Sequence, residues 1–197
     1  ENWEGNVGVA EDPADSAHLG TSVATSGCWM VTGADRDDEL GPNSGAAYIY
    51  PAHMHADPYC TAGTSASGCQ ASIGTQGIPC ASAASGFALF ATGVEGQKDG
   101  LFFFSANGQQ AAPWYGSSSF QCVVPPVIRT PSLAGTGTLG QCDGVTFIDM
   151  NALWATHPAK NPGGETIIYA AFWYRDPLNS SGTTTSMSNA IATEVCP

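Results

Sequence analysis

Three observations predict an all-β fold for this chain. Glycine (24) and proline (13) are abundant among its 197 residues, and short apolar runs recur between turn residues. Few segments hold a helical period. Charged residues make up only 11% of the chain, so β-pairing, aromatic packing and cross-links, rather than ion pairs, must hold the core. The length suits one sizeable domain or two small ones.

The elements follow in chain order. Residues 1–18 are polar and acidic, with Asp12-Pro13 as a turn, and are placed to supply an outer strand. Residues 19–50 read as three short strands. Residues 51–59 (PAHMHADPY) form a connector bounded by prolines, and a second region runs from Cys60 to Pro197. There Phe87-Ala88-Leu89-Phe90 alternates, and Leu101–Phe104 is a continuous apolar run that predicts cover on both faces. Val123-Val124 must leave a central sheet at Pro125-Pro126. Val145–Asp149 alternates, Thr166–Tyr174 is the longest apolar run and the expected central strand, and Ala190–Val195 closes the region. One helix is expected over 149–156, with Asp149 as its cap. About seven or eight strands suggest a sandwich of jelly-roll type for residues 60–197. The expected core is Phe87, Leu101, Phe103, Phe147, Ile167, Tyr169 and Trp173, with Ile167, Tyr169, Ala171 and Trp173 on one strand face.

Residues 19–50 resemble an FG-GAP repeat of the bacterial, integrin-like type. Leu19-Gly20 stands at its Phe-Gly position, and Ser22-Val23-Ala24 continues the first strand. Trp29–Ala34 stands at the second strand, Asp37-Asp38 at the acidic loop, and Ser44–Tyr50 at the closing strand. The resemblance implies a propeller-blade-like sheet over residues 1–50. Cys28 departs from the pattern, which usually has an acidic residue there. The second region is similar to a C-terminal module of secreted proteins from planctomycete-like and myxobacterium-like bacteria, one with no assigned activity. Tyr59–Ala62, Gly68-Cys69, Gly100–Phe104, Cys142-Asp143-Gly144, Trp173–Pro177 and the ending Val195-Cys196-Pro197 carry that likeness. Cys80 stands where this module would have serine.

The net charge of −12, with only five basic residues, disfavours nucleic acid and anionic lipid as partners. No apolar stretch is long enough for a membrane-spanning helix. Glu1 follows no signal peptide, which fits either a processed N-terminus or a piece of a longer chain. The seven cysteines, at positions 28, 60, 69, 80, 122, 142 and 196, include no C-x-x-C pair. Disulfides in an extracellular or cell-surface setting are therefore expected. Cys60, Cys69, Cys142 and Cys196 are assigned to disulfides, with Cys60–Cys69 as the local bridge. The other pairings stay open among fifteen connectivities. The odd count leaves one thiol free or bonded to another chain, and Cys28 is the expected one.

Each candidate site also has a simpler structural reading. Asp35, Asp37 and Glu39 alternate in an acidic loop and could supply oxygens to calcium, but no full D-x-D-x-D-G pattern is present and a solvated loop is the simpler reading. No other cofactor is expected. His53 and His55 share a face if extended and would need Asp57 to complete a metal site; exposed polar residues are the simpler reading. Arg175-Asp176-Pro177 reads as a structural strand end rather than as a catalytic acid working with Asp149. No G-x-S-x-G occurs, His18 and His157 fall in no catalytic pattern, and no facing carboxylate pair stands out, so no enzymatic activity is expected. Trp114-Tyr115 reads as a loop anchor before a sugar-stacking platform. Asn179-Ser180-Ser181 fits a glycosylation sequon, and the Ser/Thr cluster at 180–186 is the O-linked alternative.

A lone blade has open edges and cannot bury both faces of its sheet. Val23, Cys28, Trp29, Val31, Tyr48 and Tyr50 are therefore the expected contact surface. The expected function is that of a self-associating surface or filament subunit, a homo-oligomer or polymer. The alternative is a secreted module that binds a glycan or another partner in the cell envelope.

Overall fold

Alternating residues with few turn-formers explain the first sheet. The computed structural model describes residues 18–26, 28–37, 41–51, 56–114, 117–178 and 184–197. Strands β1 (Leu19–Ser26), β2 (Trp29–Ala34) and β3 (Ala46–Pro51) pair antiparallel in the order β1-β2-β3. Ser26 stands opposite Trp29, which leaves the two-residue connection that hairpins favour. Val31 pairs with Ala24 on one side and Ile49 on the other, while Thr32 pairs with Val23 and Tyr48. Opposite residues share a face, so Trp29, Val31 and Ile49 line one face and Val23, Thr32, Tyr48 and Tyr50 the other. The expected contact set is thus divided between two faces.

The chain divides into two compact units, Glu1–His53 and Met54–Pro197. Residues 51–59 do not act as linker throughout: Pro51 ends β3, and β4 (Asp57–Tyr59) pairs with the last strand of the second unit. That unit contains β5 (Ser72–Gly77), β6 (Phe87–Val94), β7 (Gly100–Ser105), β8 (Gln109–Pro113), β9 (Phe120–Val123), β10 (Ile128–Arg129), β11 (Gly144–Asp149), β12 (Thr166–Arg175) and β13 (Thr185–Val195). A five-stranded sheet runs β10-β7-β12-β13-β4, a three-stranded sheet runs β11-β6-β5, and β8 and β9 form a ribbon. All named strand pairs are antiparallel.

The main core joins the two larger sheets. Ile73, Phe87, Leu89 and Ala91 meet Phe102, Phe104, Ile168, Ala170, Phe172 and Ile191 there. Helix α1 (Met150–Thr156) adds Met150, Leu153 and Trp154. Asp149 caps α1 as expected, its Oδ1 accepting from the Ala152 N–H at 2.9 Å. Behind the five-stranded sheet, Phe103, Ala171, Met187 and Ala190 pack with Cys122 and Val123 of β9.

The central strand lies where expected, but with the opposite phase. Ile168, Ala170, Phe172 and Tyr174 are at most 1% exposed and form its main core face. Tyr169 and Trp173 pack on the second cluster, and Ile167 is 48% exposed. Because β12 is apolar on both faces, alternation alone does not mark which face meets the larger core. Phe147 was also expected inside and is 69% exposed. It lies on the outer face of edge strand β11, while its neighbour Ile148 packs on the core. Phe87 and Phe103 are buried as expected, and Leu101 is half-buried against the second cluster.

Two disulfides lie within the second unit, Cys60–Cys122 and Cys69–Cys142. The expected Cys60–Cys69 bridge is absent. Backbone hydrogen bonds close that loop instead, from Ser65 N–H to the Cys69 carbonyl at 2.8 Å and from Gly68 N–H to the Ser65 carbonyl at 3.0 Å. Cys60 is thereby left to reach β9, and Cys69 to reach the segment before β11. Cys28 and Cys196 are also disulfide-bonded, which makes three disulfides. The free cysteine is Cys80, not Cys28. Cys28 is 5% exposed, so burial and bonding together remove it as an open thiol.

Candidate functional site

The strongest candidate is the face of the N-terminal sheet that carries Trp29, Val31 and Ile49. Register sets Val31 directly beside Ile49 and places Trp29 beside Pro51. Trp29 is 48% exposed, Val31 38% and Ile49 55%. None of these side chains is charged. The opposite face is better covered: Thr32 and Ala34 are buried, and Tyr48 and Tyr50 stack with their ring centres 6.4 Å apart. Val23 shares that opposite face yet is 59% exposed. Ile49 did not stand out in the sequence. Its signal was the alternation Tyr48-Ile49-Tyr50, which sets it on the face opposite the two tyrosines.

The acidic loop is divided in the same way. Asp37 is buried, and its Oδ2 accepts a short hydrogen bond from the Tyr48 hydroxyl. Its carbonyl accepts from Gly45 N–H and Ser44 Oγ, both at 3.0 Å. Asp35 is exposed, 3.5 Å from His18 Nδ1. Asp37 therefore ties the loop to β3 and is engaged away from solvent. Glu39, His53 and His55 lie outside the described residues, as do Tyr115 and the sequon at 179–181; Asp57 lies in β4. Among the described residues, no group of three or more His, Cys, Asp or Glu is placed to hold a metal.

The carboxylates weighed for acid–base work hold backbone. Asp149 caps α1 and accepts from the Gly86 N–H at 2.9 Å through its other oxygen. Asp176 is fully buried, and its Oδ2 accepts from Ala66 N–H at 3.0 Å and Ser186 Oγ at 2.9 Å. Arg175 is exposed, and its backbone N–H donates to the Asp99 carbonyl. Glu95, unmarked in the sequence, accepts from Ser67 N–H at 3.2 Å and pairs with Lys98 at 3.1 Å. Together Asp176 and Glu95 fasten the loop that carries Cys69. Between them Tyr174 is pushed up to about 12, mainly by burial.

A pH dependence follows for Glu95. Burial favours its neutral form, but hydrogen bonds from Ser65, Lys98 and Ser67, with the Lys98 charge, outweigh it and hold the carboxyl below its ordinary value. The folded state then binds the proton less readily than the unfolded chain. Its stabilisation is present above the usual glutamate value of about 4.3 and is lost as pH falls through the lower folded value. Denaturant unfolding of the Glu95→Gln variant should therefore show a shallower loss of stability below about pH 4 than the parent chain. Equal acid slopes would remove Glu95 from that role.

Two aromatic sites have different exposure. Trp114 donates through Nε1 to Thr185 Oγ1 at 3.2 Å and packs on the second cluster, which fits the anchor reading. Phe147 is exposed on the outer face of β11-β6-β5 and stands opposite Phe90. Phe90 in turn lies over Gly74, where an added Cβ would meet its ring at 2.5 Å.

No helix among the described residues is long and apolar enough to cross a membrane. Comparison with known proteins assigns the first unit alone. No curated protein and no solved structure matches the chain, and no family model assigns the C-terminal part. Residues 9–50 match the FG-GAP repeat family and constitute a single such repeat.

Proposed function

We propose that the chain is an extracellular structural protein that associates with further copies of itself through the open face of its N-terminal sheet. The observation that carries this reading is the uncharged patch of Trp29, Val31 and Ile49 on a three-stranded sheet. Contiguous apolar surface of this kind marks interaction sites. The patch lies on the sheet of the FG-GAP repeat at residues 9–50. A second copy offers the same patch in self-complementary form, the arrangement of a two-fold interface. Three disulfides point to an oxidising compartment. The likeness of the second region to modules of secreted bacterial proteins supports an extracellular setting.

The net charge of −12 opposes close approach of two copies, while the patch favours it. At physiological ionic strength salt largely screens exposed charges that lie more than about 8 Å apart. Association should therefore strengthen as salt rises. Light scattering after size separation tests this on the full chain. The parent should show a mass that grows with concentration and salt. The triple variant Trp29→Thr, Val31→Thr, Ile49→Thr should remain at monomer mass. A parent chain that stays monomeric at every concentration and salt level overturns the proposal.

A second reading, binding to a neutral glycan, is favoured by the Phe147–Phe90 pair above Gly74. Aromatic faces on a flat sheet suit sugar stacking, and Ser72, Gln76 and Thr92 occupy neighbouring strands. Retention of the monomer on a glycan array, lost in Phe147→Ser, would support that reading instead.

A further inference from the structure

Cys80 is not isolated from the other sulfurs. It is the backbone bridge partner of Cys196 on a parallel segment. Cys196 N–H donates to the Pro79 carbonyl at 2.9 Å, and Ala81 N–H donates to the Cys196 carbonyl at 2.8 Å. Neighbouring strands run about 4.8 Å apart. That spacing lies inside the range of about 4.4–6.8 Å between the Cα atoms of bonded cysteines. Cys80 is a free, half-buried thiol, whereas Cys196 is disulfide-bonded and 3% exposed.

The surroundings favour reaction at Cys80. Its Sγ lies 3.1 Å from the Pro197 carbonyl oxygen and 3.4 Å from Ser82 Oγ. Partial burial works against the thiolate, but hydrogen bonds from the Ser82 hydroxyl and the Ser82 and Ala83 backbone outweigh it and hold the thiol below its ordinary value. Asn151 fixes the segment, its Oδ1 accepting from the Cys80 N–H at 3.0 Å. Cys196 is shielded from an external thiol, whereas Cys80 is its neighbour across the backbone bridge.

We propose that Cys80 is an internal exchange thiol for the Cys196 disulfide. The Cys80 thiolate attacks Cys196 Sγ, and a Cys80–Cys196 bond forms as the existing S–S bond of Cys196 breaks. The electron pair leaves on the sulfur formerly bonded to Cys196, which takes up the proton that Cys80 gave. The number of disulfides stays the same, and no oxidant or reductant is consumed. The exchange ties the end of β13 to the Cys80 segment and frees the former partner. The odd cysteine then acts as a covalent switch.

The test is disulfide mapping of the intact, unreduced chain. The protein is incubated near pH 8.5, where an ordinary thiol is about half ionised, then acid-quenched, alkylated and digested. A Cys80–Cys196 peptide should accumulate as alkylation moves from Cys80 to the released cysteine, with Cys60–Cys122 and Cys69–Cys142 unchanged. Cys80→Ser should keep the original Cys196 bond and show no new thiol. Alkylation that stays on Cys80 alone after days of incubation overturns the proposal. So does new pairing among Cys60, Cys69, Cys122 and Cys142, because that pattern indicates general scrambling through unfolded chains.

Discussion

Replacing Phe172 with alanine is expected to destabilise the second unit by about 3–5 kcal/mol. Phe172 is 1% exposed and packs on Phe102 with ring centres 4.8 Å apart and on Tyr174 at 5.9 Å. Its ring also fills the space left by Gly100, where an added Cβ would come within 2.3 Å of it. β7 and β13 flank β12 on either side, so the site has little freedom to collapse around the void. The control lies five residues earlier on the same strand. Ile167→Ala removes a side chain that is 48% exposed and should cost less than about 1 kcal/mol. Equilibrium unfolding in urea measures both. Equal costs, or a larger cost at Ile167, would mean that β12 faces the core in the opposite phase.

Removal of the Cys69–Cys142 bridge in a Cys69→Ser, Cys142→Ser double variant is the second large effect expected. The bond spans 73 residues of sequence. Chain-entropy reasoning assigns a closed loop of that order about 4 kcal/mol of stabilisation, by restricting the unfolded state. The loop around Cys69 is also held by Glu95 and Asp176, through the N–H groups of Ser67 and Ala66. The native fold should therefore survive the loss, with a lower unfolding midpoint and a little-changed near-ultraviolet spectrum. A change in midpoint corresponding to less than about 1 kcal/mol would show that the unfolded chain is already restricted at this point.

What the sequence made legible was local. The cap at Asp149 and the helix after it depend on a side chain and an N–H three residues on, and both stand where expected. The three strands of residues 19–50 follow from turn residues and alternation, and the FG-GAP match agrees with them. What was not legible depended on distant partners. Thr166–Tyr174 is apolar on both faces, so its phase is decided by β7 and β13 rather than by its own pattern. Phe147 reads as a core residue until β11 is seen to be an edge strand with Ile148 turned inward. The Cys60–Cys69 spacing favoured a local bridge, whereas Ser65 and Gly68 close that loop through backbone. Cys28 departs from its repeat and is the expected free thiol, yet the free thiol is Cys80.

The candidate surface shows the same division. Trp29 and Val31 were recognisable as a pair on one strand. Ile49 joins them only through the β2–β3 register, which also assigns Tyr48 and Tyr50 to the opposite face. The calcium reading of Asp35, Asp37 and Glu39 assumed that alternating acids converge. Asp37 instead turns inward to Tyr48, and Asp35 remains at the surface beside His18.

In the proposed association, copies of this chain cover one another's Trp29 face. Hydroxyl-radical footprinting of the full chain across a dilution series tests it most directly. Trp29 is 48% exposed and Phe147 is 69% exposed, so both label readily in the separate chain and serve as paired reporters. Labelling at Trp29 should fall as concentration rises and recover on dilution, while labelling at Phe147 stays constant. Labelling at Trp29 that is the same at every concentration, or protection that appears at Phe147 instead, would rule out the Trp29 face as the contact between copies.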